Sequence, residues 1–295
     1  MPNIDLVKKT DISPFRKIAI GTWQTTYDPS IYGSMRLRMD KAMRYIEDFR
    51  AATGKRITVT HLVAKAIAEA LKRCPDANGI IRWNRIYLRT KVDLSVLVVM
   101  KDDAPGGTGK VDLSAVKIED ADKLTLLEMA ERFEKHVDKV RARQDKALES
   151  TRQSMSLVPF FFINTLLKIL SFLLYTLNLD MRWAGMPKDA FGSAIITNIG
   201  SLGLDLGYVP LVPYSRVPIL ACPGLVRDEP VVEDGKIVPG KVMELSATFD
   251  HRLIDGAHAA SLSKTIRAMF EDPYKHFDLL PAAAGAPVTQ AAAGK

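Results

Sequence analysis

Apolar positions recur along much of the chain at helical spacing, and recognisable stops bound the runs. From Thr58 to Arg73, Leu62, Ala66 and Ala70 share a face with Val63 and Ile67, and Pro75 ends the run, which predicts a buried helix. Asp40 stands as the N-cap of a helix through Phe49 that Gly54 closes. A longer helical pattern from Ala121 to Gln153 lines up Leu126, Ala130, Phe133, Val137 and Val140, and another covers Ala257 to Phe270. Strands are predicted over Tyr32–Met39, Val92–Met100 and Val217–Ala221. A further strand sets Val242, Glu244 and Ser246 against Met243, Leu245 and Ala247, which predicts one buried face and one solvated face. Hairpins are expected around Asn84 and at Asp234-Gly235, a dipeptide that supplies the positive φ angles of a tight primed turn. Leu202–Tyr214, rich in Gly and Pro, reads as irregular loop, and no internal repeat is present.

One stretch breaks this regime. Leu157–Leu179 is almost wholly apolar, with Asn164, Lys168, Ser171, Tyr175 and Asn178 spaced to form a narrow polar stripe on a helix. Lys168 near its middle makes a membrane-spanning helix the costliest of the readings. A helix lying on a membrane surface, or packed inside an oligomer, accounts for the stripe better.

The composition, 47% hydrophobic and 25% charged over 295 residues, is that of an ordinary globular chain with ample core. The formal charge of +7 comes without basic blocks or interleaved aromatics, so no nucleic-acid partner is expected. Cys74 and Cys222 lie far apart and lack metal-ligand spacing, so no metal site is expected and the thiols read as structural. The polar, charged residues from Met1 to Asp11 lack a signal-peptide pattern, and the protein is expected in the cytoplasm, at most peripheral to a membrane. The last fifteen residues, 281–295, are mostly Ala, Gly and Pro and are expected to be a disordered tail.

The candidate chemistry lies between the last strand and the last long helix, in Asp250-His251-Arg252-Leu253-Ile254-Asp255-Gly256. Imidazole is suited to take and return a proton near neutrality, and a strand end is where loops carry chemistry. Taken alone, His251 reads first as a core histidine held in an Asp-Arg salt-bridge cluster, and the resemblance that follows reverses that order. The segment resembles the His-x-x-x-Asp-Gly signature of the chloramphenicol acetyltransferase-like superfamily. Its fuller Asp-His-Arg-x-x-Asp-Gly form resembles the catalytic domain of the dihydrolipoamide acyltransferase component of 2-oxo acid dehydrogenase complexes. Gly192-Ser193-Ala194-Ile195-Ile196-Thr197-Asn198-Ile199-Gly200 is similar to a second element of that family, and Pro218-Ile219-Leu220-Ala221 follows in order. Ile12–Ala19, containing Arg16, is similar to the family's opening helix, and Lys65-Ala66 with Asn78 match a third stretch. The chain departs from the pattern at Lys101–Gly109, where the family's Gly-Leu-x-x-Pro-Val motif is missing, and again in an apolar helical insert over about 155–187.

The resemblance implies an α/β fold of the chloramphenicol acetyltransferase type, a mixed sheet flanked by helices, forming one catalytic domain over 1–280. It implies a free-standing acyltransferase that moves an acyl group between coenzyme A, as substrate, and a thiol such as a dihydrolipoyl arm, or another small acceptor. Carried over by position, His251 is the general base and Thr197 the oxyanion donor. Asp255 orients the histidine loop, with Arg16 as its partner, and Asn198, Gly200, Arg252 and Gly256 support the turns. The resemblance further implies a homotrimer or a multiple of three, with a lipoyl-domain protein and decarboxylase subunits as partners and the lipoyl group on another chain. Two other readings stay open: a non-catalytic scaffold of the same fold, and a lipid-associating module built on Leu157–Leu179.

Overall fold

The computed structural model describes residues 2–10, 29–101, 111–141, 159, 162–278 and 280. Its spine is a seven-stranded mixed sheet in the order β2-β10-β8-β7-β5-β6, with β9 paired to β10. These strands are β2 (Ser30–Arg38), β5 (Leu94–Lys101), β6 (Val111–Ile118), β7 (Ala194–Thr197), β8 (Ile219–Pro223), β9 (Arg227–Glu233) and β10 (Lys236–Asp250). A small antiparallel sheet, β1-β4-β3, combines β1 (Leu6–Lys8) with the hairpin β3 (Gly79–Arg82) and β4 (Arg85–Arg89). The hairpin turns at Trp83 and Asn84, both with positive φ, and the β9–β10 hairpin turns likewise at Asp234-Gly235. This is the predicted α/β class, a mixed sheet flanked by helices.

Helices α1 (Asp40–Thr53), α2 (Val59–Arg73), α3 (Leu126–Arg141) and α5 (Gly256–Glu271) share the main core with the sheet. Tyr45, Phe49, Leu62, Leu71 and Phe270 are buried in it. Two helix starts differ from expectation. Met39 holds the α1 cap position, while the Asp40 carboxylate accepts Lys241 N–H and pairs with Arg38. α3 begins at Leu126 and not Ala121, because Thr125 and Glu128 bond reciprocally just before it. Of the predicted stripe, Leu126, Ala130 and Val137 are buried, and the pattern beyond Arg141 lies outside the described residues. Strand β6 has no counterpart in the sequence reading; it pairs along the whole of β5.

From Val242 to Asp250, β10 is buried or half-buried on both faces, contrary to the half-solvated strand its alternation predicts. Ser246 and Thr248 on the polar face are almost inaccessible because the 205–212 loop lies over them. Thr248 Oγ1 donates to Val209 O at 2.7 Å, and Ser246 Oγ donates to Gly207 O. The backbone of an irregular loop thus takes up hydroxyls that would otherwise be costly to bury. Cys222 is buried beside them, and burial pushes its thiol up to about 11; Cys74, half-buried, is also raised, mainly by burial.

The apolar run is shorter as a helix than its pattern suggests. α4 spans Ile163–Ser171 and passes into a π-helical turn at Phe172–Thr176; residues 157, 158, 160 and 161 lie outside the described part. The predicted polar stripe faces water only in its first half, where Asn164 and Lys168 are exposed. Ser171 and Tyr175 are buried, whereas Ile169 and Phe172 are exposed. Arg216 Nε donates to Ser171 Oγ at 3.1 Å, and Asn178 brackets Ile4, its Oδ1 accepting Ile4 N–H and its Nδ2 donating to Ile4 O. A further short helix, α6 (Pro273–His276), follows α5.

His61, the third residue of α2, supplies a test of this packing. Its Nδ1 accepts the Thr58 N–H at 3.2 Å, which requires a bare nitrogen, and burial first, then the Arg50 charge, lowers its pKa to about 4. Because the folded value lies below the ordinary 6.5, the unfolded chain binds the proton more readily. Stability is therefore full above pH 6.5 and falls as pH drops toward 4, by about 3 kcal/mol from this group. His61→Gln keeps a capping side chain and should lose that component of the acid dependence, read as a flatter curve of unfolding free energy against pH over that range.

Candidate active site

β10 ends at Asp250, and His251 opens the turn into α5. The turn is held from both sides: Asp250 N–H donates to Pro218 O, and His251 N–H donates to Pro29 O, each at 2.9 Å. His251 is half-buried, and its Nδ1 lies 3.0 Å from Ile254 O. A carbonyl oxygen can only accept, so Nδ1 carries the hydrogen and the lone pair of the neutral ring is left on Nε2. This bond selects the tautomer a general base needs and fixes the ring orientation.

The neighbouring charges are arranged around the turn. Arg252 grips Asp250 through two bonds, Nε to Oδ1 at 2.9 Å and Nη2 to Oδ2 at 2.7 Å, and its backbone N–H also reaches Oδ1. Asp255 is the N-cap of α5: Oδ1 accepts Ala257 N–H at 3.0 Å and His258 N–H at 3.1 Å. His258 Nδ1 sits 2.6 Å from the same oxygen. The sequence reading did not include His258, although an Asp followed three residues later by a polar ring is the spacing of a reciprocal helix cap. Arg16, the expected partner of Asp255, lies outside the described residues. Gly256 has no steric need to be glycine, since a Cβ there would meet no described atom within 4 Å.

Thr197 ends β7 and is half-buried. The turn after it is braced on three sides. Asn198 Nδ2 donates to Thr60 Oγ1 at 2.8 Å, at the start of α2, and its Oδ1 accepts Ser201 N–H at 3.0 Å. Gly200 is pressed against another loop, where a Cβ would fall 2.3 Å from Gly224 O.

The strand register sets the distance between the two halves. β7 pairs with β8 through Ile196↔Ala221, and β8 pairs with β10 through Cys222↔Ser246, so Thr197 stands level with Ser246. His251 lies five residues further along β10 and two strands away, roughly 16 Å along and about 10 Å across. One chain therefore does not bring Thr197 to His251; its Asp250, Arg252, Asp255 and His258 gather round the histidine, while Asn198 and Gly200 gather round the threonine.

A family model described as 2-oxoacid dehydrogenases acyltransferase (catalytic domain) matches residues 7–158 and 187–277. The chain belongs to this family. The match leaves 159–186, which contains α4 and its π-helical turn, between its two pieces. A relative among this acyltransferase family is the dihydrolipoyllysine-residue acetyltransferase component of the acetoin cleaving system of Bacillus subtilis (strain 168), 26% identical over 220 residues, or 75% of this chain and 43% of that protein. The mitochondrial dihydrolipoyllysine-residue succinyltransferase component of the 2-oxoglutarate dehydrogenase complex of Saccharomyces cerevisiae is 26% identical over 237 residues, 80% of this chain and 40% of that protein. The chain thus spans about two fifths of the length of these relatives. Among solved structures, a probable dihydrolipoamide acetyltransferase from Listeria monocytogenes 4b F2365 superposes with a TM-score of 0.61 at 18% identity, covering 94% of this chain and 98% of that one. The fold is that of the acyltransferase catalytic domain.

Four substitutions separate the roles in the two turns. Asp255→Ala should cost about 1 kcal/mol through loss of the helix cap, and Asp255→Asn should recover most of it. Gly200→Ala should cost about 1–3 kcal/mol from forced overpacking against Gly224, whereas Gly256→Ala should show no such loss. Denaturant midpoints at constant slope check all four variants.

Proposed function

We propose that the chain is the catalytic domain, over residues 1–280, of a coenzyme A-dependent acyltransferase that exchanges an acyl group between coenzyme A and a dihydrolipoyl thiol carried on another protein. The observation that carries the proposal is the Nδ1–H of His251 donating to Ile254 O, which leaves a basic Nε2 on a fixed ring at a strand end. Nε2 takes the proton from the attacking thiol. The thiolate adds to the thioester carbonyl and forms a tetrahedral oxyanion. As the intermediate collapses, the carbon–sulfur bond of the original thioester breaks, and the departing thiolate recovers the proton from Nε2. Asp255 acts through the loop, by capping α5, and Arg252 with Asp250 holds the turn on which the ring is mounted.

Thr197 of a neighbouring copy completes the site, its hydroxyl donating to the oxyanion. The register within one chain supports a shared site, since roughly 19 Å separates Thr197 from His251 along and across the strands. A homotrimer, or a multiple of three, is the assembly proposed. A lipoyl-domain protein and decarboxylase subunits are the partners of this reading, and the relatives named above are components of an acetoin cleaving system and of a 2-oxoglutarate dehydrogenase complex.

His251→Ala should abolish exchange between acyl-coenzyme A donors and dihydrolipoamide, measured with acetyl and with longer or branched acyl groups. Full activity in that variant would overturn the base assignment. Thr197→Ala should lower kcat by about 10²-fold or more with little change in KM, because a donor to the oxyanion acts only in the transition state. An equal loss in Thr197→Ser would point to packing instead.

A shared site makes a separate prediction. Mixing and reassembling inactive His251→Ala and Thr197→Ala chains should restore part of the activity through hybrid sites. Mixtures as inactive as their components, with mixed assembly verified by native mass spectrometry, would exclude it.

A further inference from the structure

The second half of the apolar segment turns its polar side chains inward. Ser171 accepts from Arg216, Tyr175 is 1% exposed, and Asn178 clamps the backbone of Ile4, whereas Asn164 and Lys168 in the first half stay exposed. Asn3 Nδ2 adds a bond to Leu174 O, and Arg82 binds Thr176 O through both Nε and Nη2. These bonds fix the rotation of the segment, with Leu174 packed against Ile4 and Ile80 inside and a row of other apolar side chains left facing out. Ile169 is 51% exposed and Phe172 41%, and Leu177 and Leu179 are open as well. Trp83, at the tip of the β3–β4 hairpin, meets Phe172 edge to face at 5.8 Å and is itself 60% exposed. Trp183, four residues past Leu179, is 84% exposed. Apolar surface of this extent, held outward by specific polar bonds, marks a contact surface.

We propose that this face lies against an anionic lipid bilayer. Charge selects lipid over a second copy of the chain. From Leu157 to Leu179 the sequence has no acidic residue, and its one cation, Lys168, is exposed; Arg85, beside the Trp83-Asn84 turn, is exposed too. A symmetric contact between two such faces would bring like charges together, whereas negative headgroups would neutralise them. The residue types agree, with tryptophan and phenylalanine suited to the boundary between headgroups and acyl chains and basic groups at the rim. Among the described residues no helix is long and apolar enough to cross a membrane, so the segment rests in the interface plane. Apart from the Trp83 hairpin, the surface belongs to 159–186, the stretch the family model leaves unmatched.

The test is flotation of the whole protein with vesicles of phosphatidylcholine alone and of phosphatidylcholine with one quarter phosphatidylglycerol, at low and high salt. The wild type should float with the anionic vesicles and less at high salt. The double variant Ile169→Glu/Phe172→Glu, at two exposed positions, should lower the vesicle partition coefficient about tenfold or more. Lys168→Glu, which leaves the apolar face untouched, should lower it about tenfold on anionic vesicles only. Both variants should keep the wild-type assembly mass and exchange activity. Failure of the wild type to float, or flotation equal in wild type and both variants, overturns the proposal. A change of assembly mass in either variant overturns it in favour of contact between copies.

Discussion

The structure depends on the register of β10. This fifteen-residue strand is hydrogen-bonded to β2 along one edge and to β8 and β9 along the other. A slip by one residue would exchange its two faces, and both are committed: Met243 and Leu245 to the helical core, Ser246 and Thr248 to the carbonyls of the 205–212 loop. The position of His251 is therefore fixed by ladders on both sides before any contact of the imidazole itself. Thr197 reaches its place through the same sheet, by way of β7 and β8, so the separation between the two residues is a property of the pairing and not of a movable loop.

Much of this was legible in the chain. The 3.6-residue periodicity located α1, α2 and α5 nearly to their ends, and Asn84 and the Asp-Gly dipeptide marked the two hairpins, because helical stripes and positive-φ turns are local phenomena. The motif around His251 gave the family and the strand-end placement of the ring. What escaped was non-local. The second buried face of β10 depends on a loop forty residues away in sequence, and nothing in the alternation of Glu244, Ser246 and Thr248 announces such a cover. β6 has a mixed pattern whose pairing partner alone makes it a strand. The tautomer of His251 depends on Ile254 O, a backbone group that no side-chain motif encodes. The apolar run was recognised, but its orientation was not, since which side of an amphipathic helix turns inward depends on polar groups elsewhere, here Arg216, Asn3 and the backbone of Ile4.

The two segments that depart from simple sequence rules are connected. Arg216 precedes β8, and on the extended β8–β10 register it faces Arg252, whose charge, after burial, is the second cause holding the Arg216 guanidinium below its ordinary range. The same side chain anchors α4 through Ser171 and reaches Ile81 O in the small sheet. One arginine thus joins the added helix, the hairpin carrying Trp83 and the lead-in to the histidine turn, and gives these three parts a common mechanical attachment.

The placement of the two cysteines has a consequence for selectivity. Transfer between thioesters is nucleophilic competition among thiols, and a protein that holds an activated acyl group exposes it to its own side chains. Here Cys222 is enclosed between β7, β10 and the covering loop with its thiol pushed up to about 11, and Cys74 is half-buried and also raised. Near neutral pH both favour the unreactive protonated form, and Cys222 is buried as well. On the proposed chemistry, this suppresses acyl leakage onto the polypeptide, and the only thiols positioned to react are those that His251 deprotonates.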